Sequence, residues 1–120
     1  MTIYHLARAE DWAAAAESGE YRVSTIGRTL SEVGFIHTSR VDQLTGVAER
    51  FYRNEPGDLV VLEIDEGGLD VRSEDDGLGE SFPHVYGVIP VASVVRVLSA
   101  WFDDDGRFRR EHDTFSDGQN

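Results

Sequence analysis

Leu44, Val47, Ala48, Phe51 and Tyr52 recur at i, i+3, i+4, i+7 and i+8, and this stripe constrains the chain more than any other feature. Such spacing is one face of an amphipathic helix, and that face requires a surface to cover. Ser39 with Asp42 three residues later resembles a capping box at the helix start, and the run NEPGD at 54–58 ends it. The surface follows at once. Residues 59–65, LVVLEID, form an apolar, β-branched run of the kind found in a central strand, so helix on sheet is the minimum architecture.

The remaining segments fill in that plan. TIYHL at 2–6 reads as a first strand, and the alanine-rich stretch around Trp12 as a first helix stopped by Gly19, with Trp12 expected to anchor it to the sheet. Residues 21–33 are polar and glycine-interrupted, and read as a loop with a short helical turn. GFIHT at 34–38 reads as a second strand, LDVRS at 69–73 as a short strand and EDDGLGES at 74–81 as an acidic, glycine-rich loop. FPHVYG at 82–87 reads as an edge strand, because Pro83 has no N–H to give to a ladder. Pro90 opens a helical turn ahead of a final strand in VVRVLSA. Two early helices and later, clustered strands predict an α+β domain on a bent, mostly antiparallel sheet, spanning 1–101, with 102–120 an acidic, flexible tail.

A chain of 120 residues suffices for one core and so for one principal site. Absence of cysteine excludes disulfides, thiolate nucleophiles and cysteine-ligated metals, which leaves chemistry to His, carboxylate, hydroxyl and backbone groups. A net charge of −12 opposes duplex nucleic acid, while a few focused arginines remain compatible with a phosphate-bearing small molecule. No run approaches the roughly 18 apolar residues of a membrane span, and the N-terminus lacks a signal-peptide pattern. The expected location is the cytoplasm, with no membrane partner.

Three of the four histidines, His5, His37 and His84, fall on expected strands, and His112 in the tail. The period of two puts His5 on one face with Ile3, and His37 with Phe35. Convergence of the three would make a ligand pocket or a three-histidine metal site, although their separations match no local metal-binding spacing. Glu80 ends the glycine-rich loop, Tyr86 follows His84 at two residues, and Arg22 is a candidate fork for phosphate or carboxylate.

IYHL at 3–6, GEYR at 19–22, GFIHTS at 34–39, LVVLEID at 59–65 and GESFPHVYG at 79–87, taken in this order, resemble the DUF952 family of small bacterial proteins. The resemblance runs from about Ile3 to Leu98. It implies a fold similar to the ADP-ribosyltransferases and, among them, the RNA 2′-phosphotransferases, which bind NAD in a cleft between two bent antiparallel sheets. By motif, His5 matches their first-strand histidine at a ribose of NAD, and IHTS the stretch beside the nicotinamide.

The implied cleft is lined by His5, Arg22, His37, Thr38, Ser39, Glu80, His84 and Tyr86. Its expected function is binding of NAD, or a related small-molecule nucleotide, with transfer of ADP-ribose as the chemical extension. In that scheme Arg22 neutralises the diphosphate, Tyr86 or His37 meets the nicotinamide end, and Glu80 steadies the cationic sugar. Two further readings stay open: a non-catalytic ligand- or partner-binding domain of the same fold, and a metal hydrolase holding one ion with His5, His37 and His84, with Glu80 as base.

Overall fold

The computed structural model describes residues 2–25, 27–55, 57–75, 77 and 79–111. The first half runs β1 (Thr2–Arg8), α1 (Ala9–Ser18), β2 (Glu20–Tyr21), β3 (Val23–Thr25), β4 (Arg28–Thr29), α2 (Leu30–Val33), β5 (Ile36–His37) and α3 (Val41–Phe51). The second runs β6 (Leu59–Asp65), β7 (Val71–Asp75), β8 (Ser81–Val85), β9 (Ile89–Pro90), a 3₁₀ turn (Val91–Ser93), β10 (Val94–Phe102) and β11 (Phe108–Arg110). The fold is α+β with antiparallel pairing in each described ladder. A four-stranded sheet has the order β1-β6-β10-β11 and a three-stranded sheet the order β5-β8-β7, beside the short pairs β2-β9 and β3-β4. No described helix is long and apolar enough to cross a membrane.

β6 is the central strand its composition predicts, and it is buried on both faces. Leu59 and Val61 pack with Leu6, Leu44, Val47 and Ala48 beneath α3, while Leu62 and Ile64 pack with Ile3, Ala7, Ala15 and Tyr21 on the other side. Two cores on one strand explain a run that does not alternate apolar with polar. On α1 only Ala15 is fully buried, and Trp12 packs against the second core partly buried, a looser anchor than its size suggests.

Four expectations need correction. Residues 21–33 contain the expected short helical turn, as a four-residue helix, but the rest forms three short strands rather than a loop. Strands of two or three residues are too short to show a period. The short helix nevertheless carries a capping box: Glu32 N–H donates to Thr29 Oγ1 at 3.3 Å and Thr29 N–H to Glu32 Oε1 at 2.8 Å. That turn is long enough to count as a helix beside the two longer ones. Ser39 does not cap α3. Arg40 holds that position, its N–H donating to Gln43 Oε1 at 3.0 Å, because the Ser39 backbone is committed to a two-way bridge with Tyr4 at 2.7 and 2.8 Å.

β8 is the middle strand of its sheet, not an edge. The carbonyl of Pro83 accepts from Thr38 N–H at 3.1 Å and Thr38 Oγ1 at 2.7 Å, toward β5. In an antiparallel strand the nitrogen of a residue points to the same side as its carbonyl, so the missing N–H costs a bond only toward β5. The β5–β8 ladder ends there, at the His37–His84 pair, while β7 pairs along the whole of β8. Finally, the flexible tail expected from Phe102 is ordered through Arg110: the chain turns back as β11 and buries Phe108 in the core below α3. His112 and the rest of the tail lie outside the described residues, as do positions 76 and 78 of the acidic loop.

Candidate functional site

A slot of about 550 Å³ opens where the β3–β4 hairpin, β5 and the end of α3 meet. The hairpin contributes Thr25 and Arg28, β5 contributes His37, and the helix end contributes Val47, Phe51 and Tyr52. The hairpin side is therefore polar and cationic, and the helix side apolar and aromatic. Phe51 is 55% exposed at the rim, with the Arg50 guanidinium 5.8 Å from its ring centre. Tyr52 is buried, and that burial pushes its hydroxyl up to about 12, so it remains a neutral phenol. Arg28 is exposed and makes no ion pair among the described residues, with Glu32 as a nearby charge.

His37 is held from several directions. Its ring centre lies 5.1 Å from that of Phe82 and 5.5 Å from that of His84, and its backbone pairs with His84. Behind it, His5 Nδ1 is 2.6 Å from the His37 carbonyl and His5 Nε2 is 3.0 Å from the Tyr21 hydroxyl. A carbonyl only accepts, so His5 carries its proton on Nδ1, and Nε2 accepts from Tyr21. Burial lowers the His5 pKa from 6.5 to about 4, which keeps the ring neutral. His5 thus fastens β1 to β5 and fixes the backbone that carries His37; it does not line the slot.

On the far side of His37, the plane of Phe35 stacks on His84 at 4.0 Å, and Glu74 Oε1 stands 2.9 Å from His84 Nδ1 and 2.5 Å from the Tyr86 hydroxyl. The Tyr86 hydrogen bond, followed by that of His84, holds the Glu74 carboxyl below its ordinary range. Arg72 covers the Tyr86 ring at 4.2 Å. A chain of ring contacts and hydrogen bonds so connects the surface at Arg72 with the slot at His37.

Of the eight residues expected in one cleft, only His37 lines the slot. His84 and Tyr86 support it from the side through Glu74. Thr38 and Ser39 are buried in the wall, Thr38 bonded to the Pro83 carbonyl and Ser39 bridged to Tyr4. Arg22 is exposed and paired with Glu20, and Glu80 is exposed and accepts from Gln43 Nε2 at 3.0 Å; neither lines the slot. The three-histidine ion site is not assembled either. Both His5 nitrogens are engaged, and no group of three or more His, Asp or Glu residues able to hold an ion occurs among the described residues.

Sequence reasoning missed Thr25, Arg28, Phe51, Tyr52 and Glu74. Phe51 and Tyr52 share one apolar stripe in sequence, but Phe51 is the last helical residue and lines the slot while largely exposed. The NEPGD breaker shortly after Phe51 and Tyr52, which puts both aromatics at the helix end, is the available signal. Arg28 and Thr25 flank Gly27 in a hairpin too short to be seen as one.

The fold matches solved structures of protein CC0527 from Caulobacter crescentus. Its X-ray structure is 29% identical, with a TM-score of 0.78 over 91% of this chain and 94% of that one. Its solution NMR structure is 30% identical, with a TM-score of 0.74 over 88% and 90%. No curated protein matches. The family model described as "Protein of unknown function (DUF952)" matches residues 6–97, most of the strands and helices described above, and the chain belongs to the DUF952 family.

Proposed function

We propose that the slot binds NAD or a related nucleotide, and that the chain acts as a binding module. The observation that carries this reading is the chemical asymmetry of the slot: Phe51, Val47 and Tyr52 on one side, Arg28 and Thr25 on the other, with His37 at the β5 end. A nucleotide has the same asymmetry, a flat apolar ring and an anionic, hydroxyl-rich remainder. The volume falls in the usual range for small-molecule sites, and guanidinium, hydroxyl and imidazole groups are the ordinary partners of phosphate and ribose.

Binding is favoured over transfer of ADP-ribose by a second observation: none of the described lining residues is a carboxylate, and Glu80 is engaged with Gln43 outside the slot. A cationic sugar would find no fixed anion among those described lining residues. Calorimetric titration with NAD, ADP-ribose and nicotinamide tests both statements. Saturable binding of NAD without release of nicotinamide is expected. Turnover would restore the transferase reading, and silence with all three ligands would end the nucleotide reading.

A further inference from the structure

We propose that the anionic group taken by the slot is a terminal phosphate monoester, held by Arg28, Thr25 and His37, so that the preferred ligand is a nucleoside monophosphate. The inference deepens the nucleotide reading and rests on it. Three residues with donor groups of different kinds line the slot from two adjacent elements, the β3–β4 hairpin and β5. A guanidinium spans two oxygens in its fork, while a hydroxyl and an imidazole N–H suit a third. Only a terminal phosphate offers three free oxygens to such a set.

Charge points the same way. A phosphate monoester carries about −1.5 to −2 at neutral pH, concentrated on one group. Arg28 is the one guanidinium among the described lining residues, and the nearby Glu32 carboxylate is already occupied by both the N–H and the hydroxyl of Thr29. The lining residues of the helix side, Val47, Phe51 and Tyr52, carry no charge, and Arg50 stands at the rim over the Phe51 ring, so a bridging diphosphate inside the slot would press one charged group against apolar carbon. The same side suits a base, with the exposed Phe51 ring at the rim and the Arg50 guanidinium near it. In a chain of net charge −12 an anion gains nothing from the overall field, so recognition depends on these local groups.

The test titrates the full chain with AMP, adenosine, inorganic phosphate and NAD. AMP is expected to bind about tenfold or more tighter than adenosine and tighter than NAD, the order of one charge-assisted contact set. Arg28→Gln should erase the AMP-over-adenosine ratio and leave adenosine unchanged; as an exposed residue without an ion pair among the described residues, it should leave the fold intact, checked by melting. Thr25→Val should reduce the ratio by a smaller factor. Equal binding of AMP and adenosine, or a ratio that survives Arg28→Gln, overturns the proposal. Binding of NAD with no preference for AMP also overturns it while leaving the nucleotide reading in place, whereas silence with every nucleoside and nucleotide ends both.

Discussion

His5 and His37 bond to one another yet occupy opposite kinds of place. His5 is 2% exposed, spends both nitrogens inside the protein and is kept neutral by burial. His37, whose carbonyl His5 grips, lines the slot, with its ring packed beside Phe82 and His84. The seam around His5 belongs to the stability of the fold, and the slot in front of His37 to whatever the fold holds. A residue type therefore says little about role until its partners are known.

The comparison breaks most severely if the seam is not a true core. Leu62, fully buried on β6 beside this seam, should cost about 2–5 kcal/mol when changed to Ala, read by chemical denaturation. A loss below about 1 kcal/mol would mean that the two-faced burial of β6 contributes little.

The next test uses acid. His5 has its pKa lowered to about 4 when folded, against 6.5 when unfolded, so between these values the unfolded chain binds the additional proton. Stability is then full above pH 6.5 and falls as the pH drops toward 4, by up to about 3 kcal/mol from this one group. His5→Gln should lower stability at neutral pH and flatten that part of the acid limb. An acid limb unchanged in slope would show that His5 is not buried as a neutral ring.

Trp12→Ala offers an intermediate case, since the ring packs against the second core but is only partly buried; about 1–2 kcal/mol is expected in the same assay, below the usual range for a fully buried aromatic. At the slot the pattern inverts. His37→Gln should shift the stability of the unliganded protein by less than about 1 kcal/mol, while weakening nucleotide binding by about 1–3 kcal/mol. If the mutant unfolds readily and its folded fraction binds as before, His37 belongs with His5 in the seam. Smallest of all, Phe51→Ala should leave stability within about 0.5 kcal/mol, because the side chain is 55% exposed, and its effect should be seen only in ligand affinity.

Legibility followed the range over which each signal acts. The amphipathic stripe of α3 and the apolar run of β6 lie within continuous stretches of about ten residues, long enough for a period or its absence to register. Thr29 to Glu32 carried a readable capping box, overlooked because the glycine and polar residues around it suggested a loop. The ordering of Phe108 was not readable, since three residues of β11 gain their stability from a groove below α3 made by distant segments. Pro83 was misjudged for a similar reason: which side of a strand a nitrogen faces depends on register with its neighbours.

By itself, the sequence determined an α+β chain with a central apolar strand, a covering amphipathic helix, no cysteine chemistry and a strong negative charge, because these depend on composition and on patterns along a few turns. The division of labour among the histidines was decided only in three dimensions. His5 became a buried tie because Tyr21 and the His37 carbonyl meet it from two other strands, and His84 became a support because Glu74 and Phe35 do. The pairing of Arg28 with Phe51 across the slot was likewise settled by folding. An imidazole is equally able to be a core residue, a support or a ligand contact; the geometry of partners remote in sequence selects among them.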